Sequence, residues 1–215
     1  AWDEDYSNIS DVTRMLFLAE DMAAIQAEKK MLGPPGSIWN YSSGTSNLLS
    51  GILRRHFANQ QEYLDFPYGE LIDRIGMHSM VLETDYAGNF VGSSYGWAST
   101  RDWARFGLLY LQDGVWEGKR ILPEGWVAYT TTPTPGAPKG EYGAHFWLNA
   151  GNPDKPSDRR YPGSPRDVFE ASGHQGQKVI ILPSKKLVLV RFGATHAKSA
   201  WNSDAFIQNV MAAVD

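Results

Sequence analysis

The chain contains no cysteine. Disulfides, thiolate metal sites and a cysteine nucleophile are therefore excluded, and the lack of thiols suits an oxidising compartment, periplasmic or secreted, without assigning one. Long apolar runs are missing too. Nothing approaches the ~18–20 residues of a membrane span, and the opening residues lack a secretion-signal pattern. Basic runs are also absent: 20 Lys and Arg stand against 24 Asp and Glu, a formal net charge of −4. Neither nucleic acid nor an anionic membrane surface is expected as a partner. No GxxxxGK[ST], GxGxxG or HExxH occurs, so nucleotide binding has no support and no metal or other cofactor is expected. His56, His78, His145 and His196 form no HxxxH pair, and Asp3, Glu4 and Asp5 read as a solvated acidic cluster.

What remains is a chain of 215 residues, enough for one large domain or two small ones with a real core. Eight Trp, ten Tyr and nine Phe suit a pocket for an organic substrate, although aromatics more often simply pack. Ser10 or Asp11 can cap a helix running to Lys29–Lys30, with Val12, Met15, Leu16, Ala19, Met22 and Ala23 on one face. Glu62–Ile75 reads as a helix interrupted around Pro67-Tyr68-Gly69, and residues 76–98 as irregular, with a turn at Asp85–Gly88. Ser99 or Thr100 caps a helix carrying Trp103, Phe106, Tyr110 and Leu111, which Asp113-Gly114 stops. Pro123 can open a helix over Glu124–Tyr129. Tyr142–Leu148 reads as a strand and Gly151–Arg166 as a mobile surface loop. Strands follow at Val168–Ser172, Lys178–Leu182 and Leu187–Phe192. A helix closes the chain over Asn202–Val214, with Phe206, Val210 and Val214 in register. Helices first, then consecutive antiparallel strands, predict an α+β fold rather than alternating βαβ. Residues 1–140 are expected to form a mainly helical region and 141–215 the strands and last helix.

Two stretches could carry chemistry. In Trp39–Ile52, Tyr41 precedes Ser42, Ser43, Gly44, Thr45 and Ser46, and the pairs Leu48/Leu49 and Ile52/Leu53 then recur at helical spacing. This reads as a hydroxyl-rich N-cap and an amphipathic helix, with a phenol fixed at its mouth and first-turn N–H groups available. Taken alone, the segment fits better still as a capped helix whose tyrosine merely fills the core. In Ser172–Gln177, SGHQGQ, two glycines within a strand allow close backbone approach at a cost in strand stability. His174 could bind or orient a substrate, and the N–H of Gln177 or its neighbours could stabilise an oxyanion. A β-bulge with a surface histidine is the plain alternative.

Together the two stretches resemble the serine β-lactamase and penicillin-binding-protein superfamily. The likeness is greater to its class C-like branch of β-lactamase-fold esterases and 6-aminohexanoate-dimer hydrolase. Tyr41-Ser42-Ser43 is similar to that family's Y-x-N or Y-x-S element, and His174-Gln175-Gly176 to its K-T-G or H-x-G element on a strand. The segment GNFVGSSYGWASTRDWARFGLLYLQDGVWEGKRILPEGW resembles the stretch between them. The resemblance implies a β-lactamase/transpeptidase-like antiparallel sheet flanked by helices, and acyl-enzyme hydrolysis of a small ester or amide. It also implies functional roles for Tyr41, Ser43, His174, Gly176 and Gln177. Tyr95 and Trp97 are candidate pocket walls.

The family's S-x-x-K element does not occur; Ser184-Lys185-Lys186-Leu187 has its lysines too near, on a hairpin turn. The chain therefore looks like the C-terminal two-thirds of such an enzyme, with the nucleophile helix and first strands missing, and is expected to be inactive alone. A non-catalytic module that holds a peptide or cell-wall fragment is the alternative. Truncation of this kind should expose a sheet edge and the apolar faces of the Ser99–Leu111 and Asn202–Val214 helices. Self-association, or pairing with the missing N-terminal part, is then expected. A tyrosine of pKa ~10 is a poor base without nearby cations. Histidine in place of the K-T-G lysine holds a substrate carboxylate less firmly, which favours esters or linear amides over β-lactams.

Overall fold

The computed structural model describes residues 2–152, 155 and 157–214, the side chain of Lys198 excepted. The fold is α+β, in two compact units: residues 1–74 with 78–98, and residues 75–77 with 99–215. No helix among the described residues is long and apolar enough to cross a membrane.

The first unit holds α1 (Asp11–Leu18), α2 (Met22–Ala27), α3 (Ser43–Arg54), α4 (Gln60–Pro67) and a π-helical turn over Tyr68–Ile72. The antiparallel pair β1 (Val81–Leu82) and β2 (Gly96–Trp97) completes it. The single helix predicted from Ser10 to Lys30 is two. Ser10 caps α1, but Asp21 caps α2 by accepting from the Ala24 N–H at 3.0 Å. The Met22 N–H finds the Asp85 carboxylate at 2.9 Å. With its new terminus satisfied, the chain turns at little cost. The interruption at Pro67–Gly69 takes the form of the π turn, closed by Asp73 N–H donating to the Tyr68 carbonyl.

The packing of α3 inverts the amphipathic reading. Its buried residues are Ser43, Gly44 and Asn47, while Leu49, Ile52 and Leu53 are 48%, 44% and 41% exposed. Two glycines explain this. A Cβ on Gly44 would lie 2.5 Å from the Trp2 ring, and one on Gly51 would lie 2.6 Å from the Ala23 Cβ. The helix thus presents its narrow face to its neighbours, and close approach outweighs apolar content. Trp2, Val12, Met15, Met22 and Val91 form the core beneath.

The second unit holds α5 (Thr100–Leu111), the hairpin β3 (Val115–Trp116) and β4 (Lys119–Arg120), α6 (Trp126–Thr130), and a four-stranded antiparallel sheet. The sheet runs in the order β5 (Trp147–Leu148), β6 (Phe169–Ser172), β7 (Lys178–Leu182), β8 (Leu187–Arg191), and α7 (Ser203–Val214) follows. All five residues of β7 are buried, and their alternation divides two cores. Val179 and Ile181 join Tyr110, Phe146 and Phe169 on one face, where Trp103, Phe106 and Leu111 of α5 pack. Ile180 and Leu182 join Ile207 of α7 on the other. The period of 2 thus puts one helix on each face of a two-sided sheet.

Several boundaries differ from expectation. Tyr142–Leu148 is not one strand. Gly143 N–H donates to the Phe146 carbonyl and His145 takes φ 65°, so the segment folds back before β5. The helix expected over Glu124–Tyr129 starts later, after Gly125 at φ 78°. In α7 the buried residue is Ile207, with Met211 packed beside it, while Val214 is 57% exposed; the sheet selects the stripe one position away from the predicted one. The apolar face of α5 is covered by β7 and β8, not exposed: a Cβ on Gly107 would meet Val188 at 2.5 Å and Val179 at 3.1 Å. Within Gly151–Arg166, Pro153, Asp154 and Pro156 lie outside the described residues. The rest does not read as a loose surface loop, because Tyr161 and Ser164 are buried. The buried Asn149 side chain ties that loop down, accepting from the Tyr161 N–H and donating to the carbonyls of Tyr161 and Pro165.

Candidate active site

The two motifs belong to different units. In the first, Tyr41 is half-buried just before Ser42, the N-cap of α3, whose hydroxyl accepts from the Thr45 N–H at 3.1 Å. The next N–H, that of Ser43, is taken by the Glu4 carboxylate at 3.1 Å, and the Ser43 hydroxyl donates to the other Glu4 oxygen. Trp2 donates its indole N–H to the same carboxylate, and Tyr6 its phenol at 3.3 Å. The first turn of α3 is therefore already occupied by an anion where the helix dipole favours one, and these N–H groups are not open as expected. Glu4 is correspondingly not a member of a solvated cluster. Burial pushes the Tyr6 phenol up to about 12; its bond to Ser43 pulls the other way, and Glu4 and Tyr41 add to the rise.

Below this mouth, the Asn47 amide donates to the Ser43 carbonyl at 3.0 Å and to the Ser93 hydroxyl at 2.9 Å, and accepts from Gly92 N–H at 3.1 Å. This polar stitch fastens the 91–94 segment to α3. Beyond it, Tyr95 at φ 63° packs half-buried against the unit's core. Trp97 on β2 is 57% exposed and donates its indole N–H to Glu83 at 2.5 Å.

In the second unit, His174 does not lie on a strand. β6 ends at Ser172, β7 begins at Lys178, and His174–Gly176 form a 3-10 turn between them. Gly173 N–H donates to the Gln177 carbonyl at 2.8 Å, closing the loop. The strand reading fails because Gln175 at φ 55° and Gly176 at φ 87° reverse the chain, a conformation glycine adopts without strain. His174 is exposed on this loop.

The 193–196 segment laces the loop from outside. The Gln177 side chain donates to the Gly193 carbonyl at 2.6 Å and accepts from the Gly193 N–H at 3.1 Å. Thr195 N–H donates to the Gln175 carbonyl at 2.9 Å, and the Gln175 amide meets the His196 ring at 3.2 Å. Arg191 donates to the Gly176 carbonyl and to the Thr195 hydroxyl, both at 2.7 Å, with its guanidinium 4.1 Å from the centroid of the Trp201 ring. Beneath the loop, Lys178 donates to Glu170 at 2.7 Å, to Tyr161 at 3.1 Å and to Ser172 at 3.3 Å. Burial lowers the Lys178 ammonium and raises the Tyr161 phenol, Glu170 opposing the first shift and adding to the second.

A family model described as Beta-lactamase matches residues 1–203. The chain belongs to the β-lactamase family. Among solved structures it is similar to a protein assigned as 6-aminohexanoate-dimer hydrolase from Bacillus anthracis, at 23% identity and TM-score 0.73. That likeness covers 98% of this chain and 55% of the other. A β-lactamase-assigned protein from Bacteroides dorei matches at 13% identity and TM-score 0.61, over 92% of this chain and 64% of its own. A β-lactamase from Mycobacterium bovis matches at 19% and 0.58, over 86% and 66%. These likenesses show the fold, and the chain spans about half the length of the first of them. No curated protein matches the sequence.

Within this β-lactamase-family chain, reading the sequence found the two motifs but missed what holds them. Glu4 is 39 residues from Ser43, and Arg191 is 15 from Gly176. Neither belongs to a recognisable pattern. The only signals were indirect: a glycine at 44 that nothing local required, and Gly176 itself, where a Cβ would lie 2.6 Å from Arg191 Nη1.

Proposed function

We propose that this chain is part of a serine hydrolase that cleaves esters or linear amides through an acyl-enzyme. The serine is supplied from outside these 215 residues, since no Ser-x-x-Lys occurs among them, and the chain alone is inactive. In that reaction the serine oxygen attacks the acyl carbon while its proton passes through Tyr41 to the leaving group, and water later releases the acyl group. The developing oxyanion is met by the Gln177 N–H, while Ser43 and His174 orient Tyr41 and the substrate. Tyr95 and Trp97 are the candidate pocket walls.

The observation that supports this best is the state of Gln177. Its carbonyl accepts from the Gly173 N–H and its side chain is tied to Gly193, so the Gln177 backbone is held in place on the turn. A backbone donor fixed on a glycine turn is what an oxyanion requires. The missing nucleophile favours a second reading, a binding module without catalysis. A fluorophosphonate probe, followed by mapping of the labelled residue, separates the two. Labelling of the complete protein at a serine upstream of Ala1, with a p-nitrophenyl ester hydrolysed faster than nitrocefin, is the expected result. Silence toward the probe, together with binding of a cell-wall peptide, would establish the module instead.

A further inference from the structure

Gly176 C=O and Gln177 N–H belong to one peptide unit. Such a unit is planar and trans, so the oxygen and the hydrogen point in opposite directions from one rigid plate. Arg191 donates to that oxygen at 2.7 Å. Fixing the oxygen fixes the direction of the hydrogen. A guanidinium on the carbonyl also draws charge through the amide, which makes its N–H a stronger donor, as in any hydrogen-bonded chain.

The surroundings hold Arg191 in place across the loop. Its second donor is spent on Thr195 at 2.7 Å, and its flat face rests on Trp201. Thr195 in turn donates its N–H to the Gln175 carbonyl, so two successive carbonyls, those of Gln175 and Gly176, are held by the 191–195 segment. The glycine at 176 is what admits the guanidinium, because a Cβ there would overlap Nη1.

We propose that Arg191 is a positioning residue that orients and polarises the Gln177 N–H as the oxyanion donor. This rests on the hydrolase reading for its consequence, but not for its geometry. The planar fork matters as much as the charge: a lysine could supply the charge but not the two bonds and the ring stacking together.

The test uses Arg191→Lys and Arg191→Ala in the full chain, with near-ultraviolet circular dichroism to confirm folding. The first readout is the Gln177 amide in a proton–nitrogen correlation spectrum. Its proton resonance should move upfield in both variants, further in Arg191→Ala, and broaden as the peptide begins to exchange between orientations. The second readout is ester hydrolysis by the complete protein. A donor used only in the transition state predicts kcat lower by about 10–100-fold with KM within about twofold. Arg191→Lys should recover part of that loss. An unmoved Gln177 resonance in the folded Arg191→Ala variant overturns the proposal, as does a change confined to KM. A displaced resonance in a protein that hydrolyses no ester leaves Arg191 in its positioning role and removes the hydrolase reading instead.

Discussion

The mouth of α3 and the loop between β6 and β7 are secured by opposite charges acting on opposite ends of the peptide group. At α3, the Glu4 carboxylate gathers donors: the Ser43 N–H and hydroxyl, the Trp2 indole and the Tyr6 phenol. At the loop, the Arg191 guanidinium gathers acceptors, the Gly176 carbonyl and the Thr195 hydroxyl. The consequences differ. An anion on the first turn consumes N–H groups, so the α3 mouth presents side chains and little free backbone. A cation on a carbonyl takes up the oxygen and not the N–H of the same peptide, so the loop can present backbone. The first arrangement suits holding a phenol, the second suits meeting a negative charge.

The comparison extends to the footing of each region, where the largest effect is expected. Under the loop lies a buried ion pair: Glu170 has a side chain 1% exposed, that of Lys178 is 8% exposed, and Arg160 approaches Glu170 at 3.0 Å. Removing one partner of a buried pair strands the other, at about 3–5 kcal/mol. Lys178→Ala should therefore cost about 3 kcal/mol, the low end of that range, because Arg160 and Tyr161 still serve Glu170. Urea unfolding measures this, and a loss under 1 kcal/mol would mean the loop stands on packing alone. Among the described residues, the α3 mouth has no comparable buried pair. Glu4→Ala there removes a capping acceptor and should cost about 1–2 kcal/mol. It should also alter alkaline behaviour. The Tyr6 phenol sits at about 12 when folded, above its unfolded value of ~10. Its contribution is thus complete below pH ~10 and lost as pH rises toward 12. Without Glu4 the folded phenol returns toward its unfolded value, so the alkaline fall in melting temperature should still begin near pH ~10 but be smaller than in the parent protein.

These contrasts mark what could be read in advance. Strand periodicity was legible because β7 is packed on both faces by its own unit, and alternation there is a direct record of two cores. Turn chemistry was legible at Asp85–Gly88, where Gly88 N–H donates to the Asp85 carbonyl. Helix faces were less so. In α3 the stripe chosen by composition is the exposed one, because Gly44 and Gly51 let Trp2 and Ala23 come nearer than leucines would allow. In the candidate site, Tyr41 and His174 were proposed from their motifs alone. The residues that orient the motifs were not, since Glu4 and Arg191 act across 39 and 15 positions. A long-range clamp leaves no local pattern, and an acidic residue near a chain end reads as surface until its partner is seen.

The smallest expected effect sharpens the same contrast. If narrow approach rather than apolar content orients α3, then its exposed leucines contribute little to folding of the chain as it stands. Leu53→Gln, at a site 41% exposed, should change stability by no more than about 0.5 kcal/mol. By contrast, Gly44→Ala places a methyl against Trp2 and the Gln26 side chain and should cost about 1–3 kcal/mol from overpacking, outweighing the gain in helix propensity of ~1 kcal/mol. Chemical denaturation of the two variants side by side decides the matter. A larger loss for the leucine than for the glycine would restore the amphipathic reading of α3 and with it a different account of how Tyr41 is aimed.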